Sequence, residues 1–127
     1  MKPIANLVHV PDVEAALTWY KLAFKEAIER VIDDFVVLDV NGFAIELVNA
    51  DEKVSAGKCG SVTYWFVDDL EAEIARFMEL GSTFYRGPME IEVGMGMCQV
   101  TDPFGNLIGL RGPFHNHGLG TRSSPQP

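Results

Sequence analysis

Cysteine and long apolar runs are both scarce in this sequence, which has 2 cysteines among 127 residues. Cys59 and Cys98 cannot build a disulfide framework and lack metal-ligand spacing, so we interpret both as reduced thiols. The longest apolar runs have the length of a strand, whereas a membrane helix needs about 20 apolar residues. The N-terminal segment also lacks the apolar core of a signal peptide. We therefore expect a cytoplasmic protein that does not bind membranes.

Positive charge is in short supply as well. Ten Lys and Arg residues face 18 Asp and Glu residues, giving a formal net charge of −8, and the basic residues are scattered. Such a chain is repelled by phosphate backbones, which excludes nucleic acid as the expected partner. A neutral or cationic small molecule suits this charge, although acidity also serves solubility alone. The length and the 47% hydrophobic content predict one domain.

The chain contains an internal repeat, because residues 10–20 (VPDVEAALTWY) match residues 67–77 (VDDLEAEIARF). In each copy an apolar strand ends at Val, an Asp can cap the next helix, and a Glu lies in the first helical turn. Apolar residues at helical spacing follow in both copies and predict one buried stripe per helix. The identical pairs are Val10/Val67, Asp12/Asp69, Glu14/Glu71 and Ala15/Ala72.

Three strand-like runs follow each helix. In the first half they are residues 27–32, 36–40 and 43–47, the last two joined by Asn41-Gly42, a strong hairpin signal. In the second half they are residues 83–86, 97–101 and 106–110, with a DPFG turn before the last. The pattern predicts an α+β fold of two βαβββ modules, residues 1–57 and 58–112, whose curled mixed sheets form a cleft.

Residues 113–127 are rich in Gly, Ser and Pro and predict a flexible C-terminal tail. His115 and His117 lie in this segment. Two histidines in a flexible segment lack the three or four converging ligands of a metal site, so we expect no site there.

The junction VPDVEAALTWY and the closing segment DPFGNLIGL resemble the vicinal oxygen chelate superfamily, which includes glyoxalases, bleomycin-resistance proteins and extradiol dioxygenases. The resemblance covers about residues 3–112. In metal-dependent members it implies a His or Glu on each of four strands, at positions occupied here by Ala5, Glu46, Val62 and Gly109. Because only Glu46 can donate a lone pair, we expect no metal and no other cofactor.

Strand alternation then predicts which side chains line the cleft. Val36 and Leu38 are expected there, and Trp65 is expected to face the second helix. Glu46 has two interpretations, an ion pair with His9 or Arg111 or a contact to a ligand. His9 is a wall residue or a base, and Tyr64 and Phe66 are core residues or a stacking platform. The candidate ligand-binding residues are His9, Glu46, Tyr64, Phe66, Met97, Gln99 and Arg111.

Three functions remain open at this stage. The first is a metal-free protein of the bleomycin-resistance type that sequesters an aromatic or cationic small molecule. The second is a lyase, isomerase or dioxygenase-like enzyme that uses Glu46 and His9, with or without a metal. The third is a structural or interaction role. The resemblance also implies a homodimer, with clefts built within one chain or between two.

Overall fold

A computed structural model of the chain describes residues 3–32 and 35–115. The chain divides into two compact units between Ala56 and Gly57, here called the first and the second unit. The first contains β1 (Ala5–Val10), α1 (Val13–Ala23), β2 (Ile28–Ile32), β3 (Phe35–Val40) and β4 (Phe43–Asn49). The second contains β5 (Tyr64–Phe66), α2 (Leu70–Glu79), β6 (Thr83–Glu92), β7 (Met95–Thr101) and β8 (Leu107–Pro113).

The first unit is a four-stranded mixed sheet covered by one helix. Helix α1 begins after Asp12, whose carboxylate accepts a hydrogen bond from the Ala15 N–H. The sheet order is β1-β4-β3-β2, with β1 parallel to β4 and the other pairs antiparallel. Asn41 and Gly42 form the β3–β4 turn at φ 53° and 90°, as an Asn-Gly hairpin requires. The buried residues of this unit include Val10, Ala16, Trp19, Tyr20, Leu38, Ile45 and Leu47.

The second unit repeats this plan. Asp69 caps α2 by accepting from the Ala72 N–H, and Gly81, at φ 100°, follows the end of the helix. The sheet order is β5-β8-β7-β6, with β5 parallel to β8 and the other pairs antiparallel. The core contains Leu70, Phe77, Cys98, Val100, Ile108 and Leu110. The predicted α+β fold of two βαβββ modules with mixed sheets is therefore confirmed.

The residues just after the closing strand are held by the second unit. The Phe114 N–H donates to the Gly94 carbonyl, and the His115 N–H donates to the Glu71 carboxylate at 2.9 Å. The Phe114 ring also covers Gly96. Residues 113–115, which we placed in the tail, are thus attached to β7 and α2, and His117 lies outside the described residues.

The prediction for β3 is wrong by one residue. Leu38 pairs with Ile45 on the face that packs on α1, and it is 1% exposed. Val37 instead pairs with Glu46 on the opposite face, so Val36 and Leu38 do not share the face of Glu46. A shift of one residue reverses both faces of a strand, and this apolar run has no alternation to fix its phase. No helix among the described residues is long and apolar enough to cross a membrane.

Candidate functional site

Each sheet has a face that does not pack on its own helix, here called the far face. In the first unit, Glu46 lies on the far face in the middle of an apolar row, directly between Leu7 on β1 and Val37 on β3. The carboxylate is half-buried, and no hydrogen bond or ion pair to another described residue engages it. A carboxylate in such a row attracts a hydrogen-bond donor or a cation.

His9 shares this face, one row along β1 from Leu7, and pairs with Val48. The imidazole lies near the loop after β4. Hydrogen bonds from the backbone N–H groups of Val54 and Lys53 lower the pKa of Asp51, and the charge of His9 adds a smaller contribution in the same direction. The first unit therefore brings a carboxylate and an imidazole to one face of adjacent strands.

In the second unit, the far face is organised around Gly109. Tyr64, Gly109 and Gln99 are directly paired across β5, β8 and β7. A Cβ at position 109 would lie 2.8 Å from three ring atoms of Tyr64, so the tyrosine ring occupies the space above the glycine. The ring thus spans the middle strand, and Gln99 Nε2 donates a hydrogen bond to its hydroxyl at 2.8 Å.

The next row adds a charge and a second aromatic side chain. Phe66, Arg111 and Met97 are directly paired across the same three strands. The Arg111 guanidinium carbon is 4.8 Å from the centroid of the Tyr64 ring, a cation–π geometry. Phe66 is 67% exposed, whereas Met97 is buried beside the arginine. We call Tyr64, Phe66, Met97, Gln99 and Arg111 the Tyr64 cluster.

The structure thus groups the seven candidate residues in two sets. Five form the Tyr64 cluster on the far face of the second sheet, and His9 and Glu46 share the far face of the first. Two further residues of this face were not predicted from the sequence. Gly109 supports the Tyr64 ring, and Arg86 on β6 pairs with Gln99. The sequence offered only a weak signal for Gly109, because a glycine inside a strand often marks a place where another group approaches the backbone closely.

The metal positions implied by the resemblance do not supply a ligand set. Ala5 and Val62 have no donor atoms, and the strand partners of Glu46 and Gly109 are Leu7 and Tyr64. In the second unit the tyrosine ring already fills the space above Gly109. Within residues 3–32 and 35–115, no three His, Cys, Asp or Glu side chains form a group that could hold a metal. The donor set therefore does not fit the metal centre of metal-dependent members.

A shallow groove lies elsewhere on the second unit, near the start of β6. Its Asp102 carboxylate already accepts hydrogen bonds from Phe104 and Asn106, and Lys58 lies over the Tyr85 ring. Its main polar groups are thus engaged within the unit, which makes the groove a weaker candidate than the Tyr64 cluster.

The comparisons with known proteins identify the family. The model of the Glyoxalase/Bleomycin resistance protein/Dioxygenase superfamily matches residues 4–110. The chain therefore belongs to this superfamily. No curated protein sequence gives a significant match.

Solved structures share the fold at low sequence identity. An integron cassette protein from the mobile metagenome of V. cholerae aligns with a TM-score of 0.70 and 17% identity, covering 88% of this chain and 94% of that one. A superfamily member from Sphaerobacter thermophilus aligns at 0.68 and 21%, covering 88% and 97%. TnmS3, an antibiotic binding protein from Streptomyces sp. CB03234, aligns at 0.68 and 21%, covering 89% and 96%.

Proposed function

We propose that this chain is a metal-free binding protein that sequesters an aromatic small molecule on the Tyr64 cluster. The observation that carries the proposal is the Tyr64 ring itself. It is held above Gly109 by the hydrogen bond from Gln99 and the contact with Arg111, on the face of the sheet away from α2. A side chain ordered in this way has lost its rotamer freedom before a ligand arrives, which lowers the entropic cost of binding.

The composition of the cluster also supports binding. Phe66 offers an exposed ring, Met97 a polarizable side chain, and Gln99 and Arg111 a few polar groups for orientation. Pockets for small molecules combine apolar walls with a small number of polar groups in this way. The relative TnmS3 is described as an antibiotic binding protein, which agrees with binding as a function within this fold.

The alternative is an enzyme of the same superfamily. The observation in its favour is that Glu46 and His9, a carboxylate and an imidazole, share one sheet face. These residues would act as acid and base, because the donor set lacks the ligands for a Lewis-acid metal.

The test is ligand capture by protein purified without chelators. Native mass spectrometry should detect a copurified aromatic compound on the wild-type chain, and elemental analysis should find no stoichiometric zinc, nickel, manganese or iron. Tyr64→Ala should lose the compound, while Tyr64→Phe, which keeps the ring, should retain most of it. Equal retention by Tyr64→Ala, or a stoichiometric metal lost in Glu46→Gln, would contradict the proposal.

A further inference from the structure

Arg111 is a positive charge with no acidic residue in its row. Its direct neighbours on the far face are Phe66 on β5 and Met97 on β7, and Met97 is followed by Met89 on β6. Among the described residues, no carboxylate forms an ion pair with Arg111. The adjacent row ends in a second cation, Arg86, opposite Gln99. These two rows thus carry two cations and no carboxylate, and Glu92 lies in the row beyond them, opposite Met95.

The hydrogen-bonding groups of the cluster are mainly donors. The Tyr64 hydroxyl oxygen accepts from Gln99, so its own hydrogen remains available to an acceptor. Arg111 contacts the Tyr64 ring through its guanidinium, whose five N–H groups lie in the plane of the group and can donate to oxygen atoms beyond the ring. A ligand that satisfies these donors must present acceptor oxygens.

We propose that the Tyr64 cluster selects an aromatic ring that bears a carboxylate, and discriminates against aromatic cations. This inference rests on the proposed binding function and decides its ligand class. The ring of the ligand packs on the exposed Phe66 ring, next to the buried Met97. Its carboxylate receives paired N–H bonds from Arg111, a planar match that a cation or an alcohol cannot make. A cationic substituent in the same place is repelled by Arg111 and Arg86.

The test uses three ring sizes, each with an anionic, a neutral and a cationic substituent. The probes are benzoate, 2-naphthoate and anthracene-2-carboxylate, with the corresponding aryl methanols and aryl methylammonium ions. Binding to the full chain is followed by NMR of ¹⁵N-labelled protein, in which the Gln99 side-chain amide and the Arg111 Nε–H report on the site. At least one carboxylate should bind about tenfold or more tightly than its neutral and cationic isosteres and shift both signals.

Substitutions of Arg111 separate the effect of its positive charge from that of its planar pair of N–H donors. Arg111→Gln should weaken the carboxylate about tenfold and leave the neutral isostere within about twofold, because only the carboxylate uses the guanidinium. Arg111→Lys should recover part of the loss, since lysine keeps the charge without the planar pair of donors. Lys25→Gln removes the same charge from an exposed residue of the first unit and should leave both affinities unchanged.

The outcomes of these experiments test the ligand class separately from the proposed binding function. If neutral or cationic probes shift the Gln99 signal and bind as tightly as the carboxylates, the ligand class is wrong and the binding function stands. If no probe of any charge binds at the cluster, both are overturned. If Lys25→Gln weakens the carboxylate as much as Arg111→Gln, the selectivity reflects overall charge, and the role of Arg111 is refuted.

Discussion

Replacing Gly109 with alanine tests the central feature of the candidate site without removing any side chain that could touch a ligand. An ideal Cβ at this position lies 2.8 Å from Cγ, Cδ1 and Cδ2 of Tyr64, closer than real contacts allow. The backbone of Gly109 is not in the positive-φ region, so alanine adds no backbone strain. The tyrosine ring must therefore move away from the sheet, and its contacts with Gln99 and Arg111 are lost.

The expected cost follows from those contacts. Loss of the Tyr64–Gln99 hydrogen bond costs about 1 kcal/mol, and loss of an exposed cation–π contact costs about 0.5–1 kcal/mol. Alanine regains about 0.5–1 kcal/mol because it is less flexible than glycine in the unfolded chain. The net effect of Gly109→Ala is a loss of about 1 kcal/mol in the free energy of unfolding. In a Tyr64→Ala background only the gain remains, so the same substitution should stabilise the protein.

The assay is a double-mutant cycle by urea unfolding of the wild type, both single variants and the double variant. The structure predicts a coupling free energy of about 2 kcal/mol, with a change of sign between the two backgrounds. Gly109→Ala should also weaken binding of any ligand of the Tyr64 cluster. If the substitution has the same effect in both backgrounds, the ring does not lie on Gly109 and the geometry of the site is wrong.

Three further predictions concern assembly, ligand contacts and the buried thiol. Light scattering at micromolar concentration should give about twice the chain mass of 14.0 kDa, as the family resemblance implies, and the monomer mass would refute a homodimer. Tyr64→Ala should weaken ligand binding without lowering that mass, and an unchanged affinity would exclude the Tyr64 cluster as the site. Burial raises the pKa of Cys98 from 9.0 to about 12, so unfolding above pH 9 releases its proton and stability should fall as pH rises. Urea midpoints between pH 8 and 10 should therefore fall less in Cys98→Ala than in the wild type, and equal slopes would contradict this.

The sequence was most informative where local chemistry decides the structure. Asp12 and Asp69 mark helix starts because a carboxylate before a helix satisfies free N–H groups, and both do so in the structure. The Asn-Gly pair fixes a hairpin because it accepts positive φ values. These signals determine the two modules without any knowledge of distant contacts.

Strand phase and strand length were harder to predict. Val37 and Leu38 are both buried, on opposite faces, so hydrophobicity gave no phase for β3. Strand β6 runs from Thr83 to Glu92, past the Gly87-Pro88 pair that usually ends a strand, because register shifts absorb the irregularity. The pairing of Arg86 with Gln99 could therefore not be predicted from the sequence.

In the candidate site, too, the sequence predicted which face a residue lies on but not which residues are in contact. Alternation placed Tyr64 and Phe66 on one face, and Met97, Gln99 and Arg111 on the corresponding face of their strands, but it could not show which residues touch. Contact between Tyr64 and Gln99 depends on the register of three strands and on the missing side chain of Gly109. Such a relation is set by tertiary packing and leaves no periodic pattern.

The turn before β8 illustrates how a family motif can serve the fold alone. Asp102 is 2% exposed, and its Oδ1 accepts from the backbone N–H groups of Phe104 and Asn106, both at 2.8 Å. Its Oδ2 accepts from Asn106 Nδ2 at 3.0 Å, and Asn106 Oδ1 accepts from the Gly57 N–H at 2.9 Å. The carboxylate therefore satisfies three donors and ties the turn to the start of the second unit.

Asp102→Ala removes the acceptor of three hydrogen bonds in a partly buried turn and should lower the free energy of unfolding by about 3 kcal/mol. Asp102→Asn keeps one acceptor oxygen but turns an N–H₂ group toward a donor, so about half of that loss is expected. Urea unfolding measures the stability loss of each variant, and ligand affinity is compared under conditions in which the wild type and both variants are folded. Because the turn supports β8 without belonging to the Tyr64 cluster, ligand affinity should stay within about twofold of the wild type. A folded Asp102→Ala variant that has lost binding would show that this motif acts on the ligand after all.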